Sequence, residues 1–174
     1  MADYRAPTQE QLFVLETVAD LTALSGLPGF KDATPDMAGH ILDESARLAE
    51  QGFAPLNAIG DREGARFSDG EVRVPAGFAQ VYADYAAAGW NGLSADPAHG
   101  GQGLPFALSV AVQEQFTAAN MAFSLCPMLS LSAIEALQAH GDAAMKATYL
   151  PKLISGEWTG TMHLTEPQAG SDVG

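Results

Sequence analysis

The chain has 174 residues, 47% hydrophobic and 17% charged, with 21 acidic against 8 basic side chains and a formal net charge of −13. That is enough apolar sequence for one domain with a packed core, and it excludes a disordered chain. The negative balance disfavours nucleic acid and anionic membrane surfaces. The single cysteine, Cys126, excludes a disulfide framework and a thiolate metal cluster and points to a reducing cytoplasm.

Residues Met1 to Pro7 carry neither an apolar signal core nor transit-peptide character. Thr8, followed by Glu10 and Gln11, predicts a capped helix running to about Leu24 and ending at Ser25-Gly-Leu-Pro-Gly29. Thr34-Pro-Asp36 opens a second helix, with proline at the permitted first position. Ile41, Leu42, Leu48 and Ala49 form its inner face, and Gly52 is its expected C-terminal cap. Residues 53–74 read as irregular, with turns at Asp61-Arg-Glu-Gly64 and Ser68-Asp-Gly70 and a short strand at Glu71-Val-Arg-Val74.

Pro75 starts the clearest helical pattern, with Phe78, Val81, Tyr82, Tyr85, Ala86 and Gly89 at helical spacing. After the loop Asp96 to Pro105, one helix is expected from Pro105 to about Phe123. Another is expected from Pro127 to His140, capped by Gly141, and a shorter one from Asp142 to Leu153. Gln115 to Ile134 is 20 residues without a formal charge. Its Asn120, Ser124, Ser130 and Ser132 argue for two buried helices meeting at Pro127 and against a bilayer span. Only Asp84, Asp96 and Glu114 are charged between Ala76 and Ser130, so these helices should be covered on more than one side.

From Trp158 the period changes. Trp158, Gly160, Met162 and Leu164 alternate with Thr159, Thr161, His163 and Thr165, the pattern of a strand with one apolar face. A lone strand after helices needs pairing partners, so the sequence is expected to stop inside a second, β-rich domain of a longer protein.

Tyr149-Leu-Pro-Lys-Leu153, Gly156-Glu157 and Leu164-Thr-Glu-Pro-Gln-Ala-Gly-Ser-Asp172 together resemble the acyl-CoA dehydrogenase family of flavoproteins. The loop Gly100-Gly-Gln-Gly-Leu-Pro105 is similar to the family's Gly-Gly-x-Gly connection. It lacks the Gly-Lys-Ser/Thr ending of a P-loop and follows no strand. The resemblance covers about Ala76 to the end, and its wording is similar to larger bacterial members, including those handling short methylthio-acyl-CoAs. It implies a mainly α fold, a helical bundle followed by the first strand of a truncated β-barrel. The corresponding organisation is an N-terminal helical extension at 1–35, a helical domain at 36–155 and the start of a β domain at 156–174.

A flavin ring needs donors at its N5 and carbonyl positions, and its pyrophosphate needs N–H groups. A strand edge passing into a Gly-Ser turn supplies both. By resemblance, FAD is the cofactor and Met162, His163, Leu164, Thr165, Gly170 and Ser171 are its contacts. Thr165 sits at the isoalloxazine edge, Gly170 and Ser171 face phosphate or ribityl oxygens, and Ser171 also meets the acyl-CoA substrate. The implied reaction is α,β-desaturation with hydride transfer to flavin N5. An electron-transfer flavoprotein is the expected acceptor and a homo-oligomer the expected assembly. The family's catalytic glutamate lies beyond residue 174, so no acid here is assigned as base.

Other candidates stay open. Glu114 is either a pocket-floor carboxylate or an interhelical partner, and Phe106, Val110 and Phe116 either wall a pocket or fill the core. Asn120 either borders an acyl pocket or is a buried interhelical amide, and Cys126 reads as a buried small hydrophobe. The histidines His40, His99, His140 and His163 lack metal-ligand spacing. The alternative function is a non-catalytic helical module whose low-charge surface binds a partner.

Overall fold

The computed structural model describes residues 4–170 and Asp172, and it is mainly helical. The first expected helix is two. α1 (Thr8–Thr17) stops short, because Asp20 adopts a left-handed conformation (φ 49°) and its side chain accepts from the Ala23 N–H at 3.1 Å. A short polar side chain tolerates that backbone and caps a new helical turn. The product is α2 (Leu21–Ser25), whose Leu21 is fully buried.

α3 (Pro35–Leu48) begins as the sequence predicts. The Thr34 hydroxyl accepts from the Met37 N–H at 3.2 Å and Pro35 occupies the first turn. Its end differs from expectation. The chain widens into a π turn over Ala49–Phe53 and continues as α4 (Ala54–Glu63). Pro55 has no N–H to bond back into the preceding turn, and the wider turn falls just ahead of it. Gly52 is therefore no cap. A Cβ there would lie 3.0 Å from Leu48 Cδ1 and 3.2 Å from Val81 Cγ1, so glycine serves a close approach. Asp61 to Glu63, expected in a turn, close α4.

A hairpin comes next, β1 (Arg66–Ser68) against β2 (Glu71–Arg73), with Phe67 opposite Val72. Its loop is Asp69-Gly70, both at positive φ, as a two-residue turn with the twist of paired strands requires. α5 (Phe78–Ala87) starts three residues after Pro75, beyond Gly77. α6 (Phe106–Ala119), α7 (Met121–His140) and α8 (Ala143–Ile154) complete the bundle.

The break between α6 and α7 lies at Asn120 and not at Pro127, which sits inside α7. Asn120 has an extended backbone (φ −159°) and is 1% exposed. Its Oδ1 accepts from the Phe123 N–H at 3.1 Å, and its Nδ2 donates to the Phe53 carbonyl at 3.2 Å. The side-chain cap, not the missing proline N–H, decides where the helix begins. By length and composition alone α7 is apolar enough to cross a bilayer, and only 28% of its most apolar stretch is buried in this chain, so the expected burial is met on one face alone, through Phe123, Ser124, Pro127, Ser130 and Ile134.

The core gathers around Phe53. Its ring centroid lies 4.7 Å from Phe116 and 4.5 Å from Phe123, and Tyr85 packs on Phe116 at 5.4 Å. Offset and edge-on aromatic pairs of this kind stabilise beyond area burial. Burial pushes the Tyr85 phenol well above its ordinary range, opposed in part by its hydrogen bond from Gln113. A smaller cluster of Ala95, Ile134, Leu150, Leu153 and Ile154 joins α7 to α8.

A buried amide network ties α1, α3 and α6. The Gln115 Oε1 accepts from the Ser45 hydroxyl at 2.7 Å, and its Nε2 donates to Gln11 Oε1 at 2.7 Å and to the Leu42 carbonyl at 3.2 Å. Gln11 Nε2 donates onward to the Ala111 carbonyl and to Glu114 Oε2, both at 3.0 Å. Gln115 is fully buried, so every bond lost there leaves a desolvated partner. Gln115→Ala should destabilise the fold by about 2–4 kcal/mol, measured by denaturant midpoint. A loss below about 0.5 kcal/mol would mean the network carries no stability.

Candidate functional site

The motif-bearing segment leaves the bundle at the end of α8. Gly156 adopts φ 76°, and a Cβ there would meet Ala86 Cβ at 2.7 Å. The Tyr82 hydroxyl donates to the Gly156 carbonyl at 3.0 Å, and Asn91 Nδ2 donates to the Leu153 carbonyl at 3.3 Å. The Trp158 N–H then returns to the Lys152 carbonyl at 3.0 Å. Lys152 Nζ lies 4.8 Å above the Trp158 ring and 2.5 Å from Glu157 Oε1. An ammonium over an indole face is attractive, so the backbone turn and both side chains hold one exit direction.

Two residues later the chain crosses α7. The Gly160 N–H donates to Ser130 Oγ at 3.0 Å, and Ser130 donates to the Cys126 carbonyl at 3.1 Å. The approach is close enough that a Cβ on Gly160 would stand 2.7 Å from Ala133 Cβ. The alternation counted Gly160 as part of an apolar face. Its actual role is contact without a side chain, and the signal was a glycine in a strand pattern, which marks close backbone approach.

Beyond Gly160 the expected strand does not form a ladder. Thr161 to Thr165 are exposed, and among the described residues no hydrogen bond reaches their backbone. The expected apolar face is open as well, with Met162 65% and Leu164 55% exposed. The physical reason is pairing: β1 and β2 bond only to each other, and no described strand lies beside this segment. His163 is exposed here too. The chain next closes a tight turn, where the Glu166 N–H donates to the Ala169 carbonyl at 2.9 Å and the Ala169 N–H donates back at 3.2 Å. Gly170 comes after it with open space around it. Ser171, expected at the cofactor and substrate, lies outside the described residues.

Chemically this is a row of unpaired N–H and C=O groups ending in a hydroxyl-bearing threonine and a glycine turn. Such an edge can satisfy a planar heterocycle that presents acceptors and a donor along one side.

The other candidates divide. The Gly100–Gly103 loop is fixed to the bundle by bonds from the Gln102, Gly103 and Leu104 N–H groups to the carbonyls of Gly92, Ala95 and Leu93 at 2.7–2.9 Å. Gly101 has no alternative there, since a Cβ would lie 2.0 Å from the Ala95 carbonyl oxygen. Phe116 is core, whereas Phe106 and Val110 are exposed. These two, with Gln113, Glu114, Met128 and Glu135, line an apolar groove of about 390 Å³ between α6 and α7. Glu114 lies at its edge while accepting from Gln11, so it serves as an interhelical partner. At about 100° per residue, the α7 residues of the groove and those meeting Gly160 point in roughly opposite directions. The groove and the segment are thus not one site within this chain. Cys126 is exposed, contrary to expectation, because the face of α7 packed inward runs through Phe123, Ser124, Pro127, Ser130 and Ile134.

Amide exchange tests the segment. The Thr161–Thr165 amides should exchange near the unprotected rate, with Gly160 slower and Val112 and Phe116 in α6 slowest. Strong protection at 161–165 would show partners that this geometry lacks.

The acyl-CoA dehydrogenase, N-terminal domain, matches residues 40–157. The chain is 42% identical over 170 residues to the 3-methylmercaptopropionyl-CoA dehydrogenase of Ruegeria pomeroyi, a match that covers 98% of the chain and 29% of that relative. It is 31% identical over 176 residues to a broad-specificity linear acyl-CoA dehydrogenase of Mycobacterium tuberculosis, covering 100% of the chain and 28% of the relative. The chain thus spans less than a third of the length of these relatives. In fold it is similar to the butyryl-CoA dehydrogenase of Megasphaera elsdenii, with a TM-score of 0.66 and 20% identity, covering 79% of this chain and 34% of the other. A similar match is the acyl-CoA dehydrogenase complexed with FAD from Bacillus anthracis, with a TM-score of 0.65 and 20% identity, over 79% and 22% of the two chains. The match to the family's N-terminal domain over residues 40–157, carried by a helical bundle of the same fold, places the chain in the acyl-CoA dehydrogenase family.

Proposed function

We propose that this chain is the helical portion and first flavin-contacting segment of an enzyme that desaturates an acyl-CoA thioester between its α and β carbons. The observation that carries the reading is the unpaired backbone edge at Thr161–Thr165, delivered by the bundle and running into the Gly170 turn. Its residues fit FAD, since they offer N–H donors, carbonyl acceptors and the Thr165 hydroxyl on an exposed edge. In this reading Met162, His163, Leu164 and Thr165 lie along the isoalloxazine. The Gly170 N–H and Ser171 meet the phosphate or ribityl oxygens, and Ser171 also touches the substrate. Bound there, FAD would supply the hydride acceptor for the β-hydrogen.

The chain's own residues hold and orient the cofactor, and the carboxylate that takes the α-proton is not assigned to any acid of this sequence. The relative at 42% identity supports a short thioether acyl-CoA as substrate. We also infer an electron-transfer flavoprotein as acceptor, a homo-oligomer as the working assembly, and a reducing cytoplasm suited to the exposed thiol of Cys126.

The second reading is a non-catalytic module. It draws on the exposed Phe106, Val110, Met121, Leu125 and Met128 of α6 and α7, a surface that a partner would cover. Flavin separates the two. The complete protein should purify with FAD and reduce a dye acceptor when given 3-methylmercaptopropionyl-CoA or a straight short-chain acyl-CoA. A protein without flavin, inert to every acyl-CoA, would favour the module. Activity on straight chains alone would remove the thioether preference and leave the desaturase.

A further inference from the structure

We infer that Gly160 and Ser130 form a positioning pair that sets the register of the flavin-contacting segment; this rests on the FAD reading above. The backbone is fixed at two successive points as it leaves the bundle. Trp158 holds it to α8 through its N–H bond to the Lys152 carbonyl, with Lys152 over its ring. Gly160 holds it to α7 through Ser130, a fully buried serine whose hydroxyl is aligned by its own bond to the Cys126 carbonyl. After Gly160, no described backbone bond acts on the chain until the Glu166–Ala169 turn. Gly160 is thus the last place where the helices dictate which way the segment faces.

That direction has chemical content. Successive side chains of an extended segment point to opposite sides, so a slip of one residue would exchange Thr165 for Leu164 at the cofactor. The contact resists such a slip in two ways. The N–H of residue 160 alone reaches Ser130 Oγ. Sterically, a Cβ at 160 would lie 2.7 Å from Ala133 Cβ, a clash, and 3.2 Å from both the Leu129 carbonyl oxygen and Ser130 Cα, so a side chain here pushes the segment off α7 as long as Ala133 keeps its methyl. Neither residue touches the proposed ring. They act through Thr161–Thr165.

The test uses the complete flavoprotein, with FAD affinity and the visible flavin spectrum read beside far-ultraviolet circular dichroism and Tm. Ser130→Ala removes the acceptor without adding bulk. It should weaken FAD binding about fivefold, the loss of one hydrogen bond, and shift the flavin absorption with the helical signal unchanged. Gly160→Ala should weaken FAD by on the order of tenfold. Gly160→Ala combined with Ala133→Gly should recover most of that loss, because the second change removes the nearest clashing carbon, and Ala133→Gly alone should leave the spectrum unchanged. The inference is overturned if both single variants bind FAD with wild-type affinity and spectrum. It is also overturned if their FAD loss tracks only a fall in Tm and the double variant recovers nothing. A wild-type protein that takes up no FAD at all would instead sink the flavin reading itself, and this pair's role with it.

Discussion

One side-chain amide fixes the geometry on which the rest depends. Asn120 interrupts a stretch of apolar sequence that would otherwise continue as helix, caps α7 with its oxygen and binds the Phe53 carbonyl with its nitrogen. Phe53 closes the π turn between α3 and α4, so the junction couples three helices through two bonds. The aromatic cluster of Phe53, Phe116, Phe123 and Tyr85 surrounds it and keeps water from competing. Ser130 lies ten residues into α7, about 15 Å along its axis. The cap fixes where α7 starts, and the packing of Ile134 against Leu150, Leu153 and Ile154 of α8 sets Ser130 beside the segment that leaves that helix.

The Gln11–Gln115–Ser45 network does a different job on the adjoining face of α6. Burying amides costs desolvation that hydrogen bonds roughly offset, so such a network selects one arrangement of helices more than it adds net stability. Here it specifies how α1 sits against α3 and α6. The terminal strap adds a second fastening: Glu50, in the π turn, accepts from the Ala6 N–H at 3.0 Å and pairs with Arg5 at 2.7 Å. The Ala6 N–H is the leading cause holding the Glu50 carboxyl below its usual range, reinforced by Arg5.

Much of this was legible in the sequence, and the misses share a cause. Local chemistry announced Thr34-Pro35, the Asp69-Gly70 turn and the helical stripe of Phe78 to Tyr85. It misplaced the joints. Pro127 looked like a break, but a side-chain cap seven residues earlier overrode it. Gly52 looked like a stop, but it is a contact with Val81 that no local pattern encodes. α4 was hidden because Gly60 and the Asp61-Arg-Glu-Gly64 run mimic turn composition; Gly60 instead admits the Phe78 ring, 2.9 Å from where its Cβ would be. The family resemblance was carried by the Leu164–Asp172 wording. The alternation before it suggested a strand, yet alternation specifies only which faces differ, while a ladder needs a neighbour. The Ser130–Gly160 contact, spanning 30 residues, was beyond any local signal.

Everything functional here turns on whether the helical bundle presents the Thr161–Thr165 backbone, unpaired and in fixed register, to a flavin. A crystal structure of the complete protein with FAD bound would decide it. The Gly160 N–H should still lie on Ser130 Oγ, with backbone or hydroxyl groups of Met162 to Thr165 within about 3 Å of the isoalloxazine edge. A flavin bound elsewhere, with this segment paired to protein along its whole length, would contradict that arrangement.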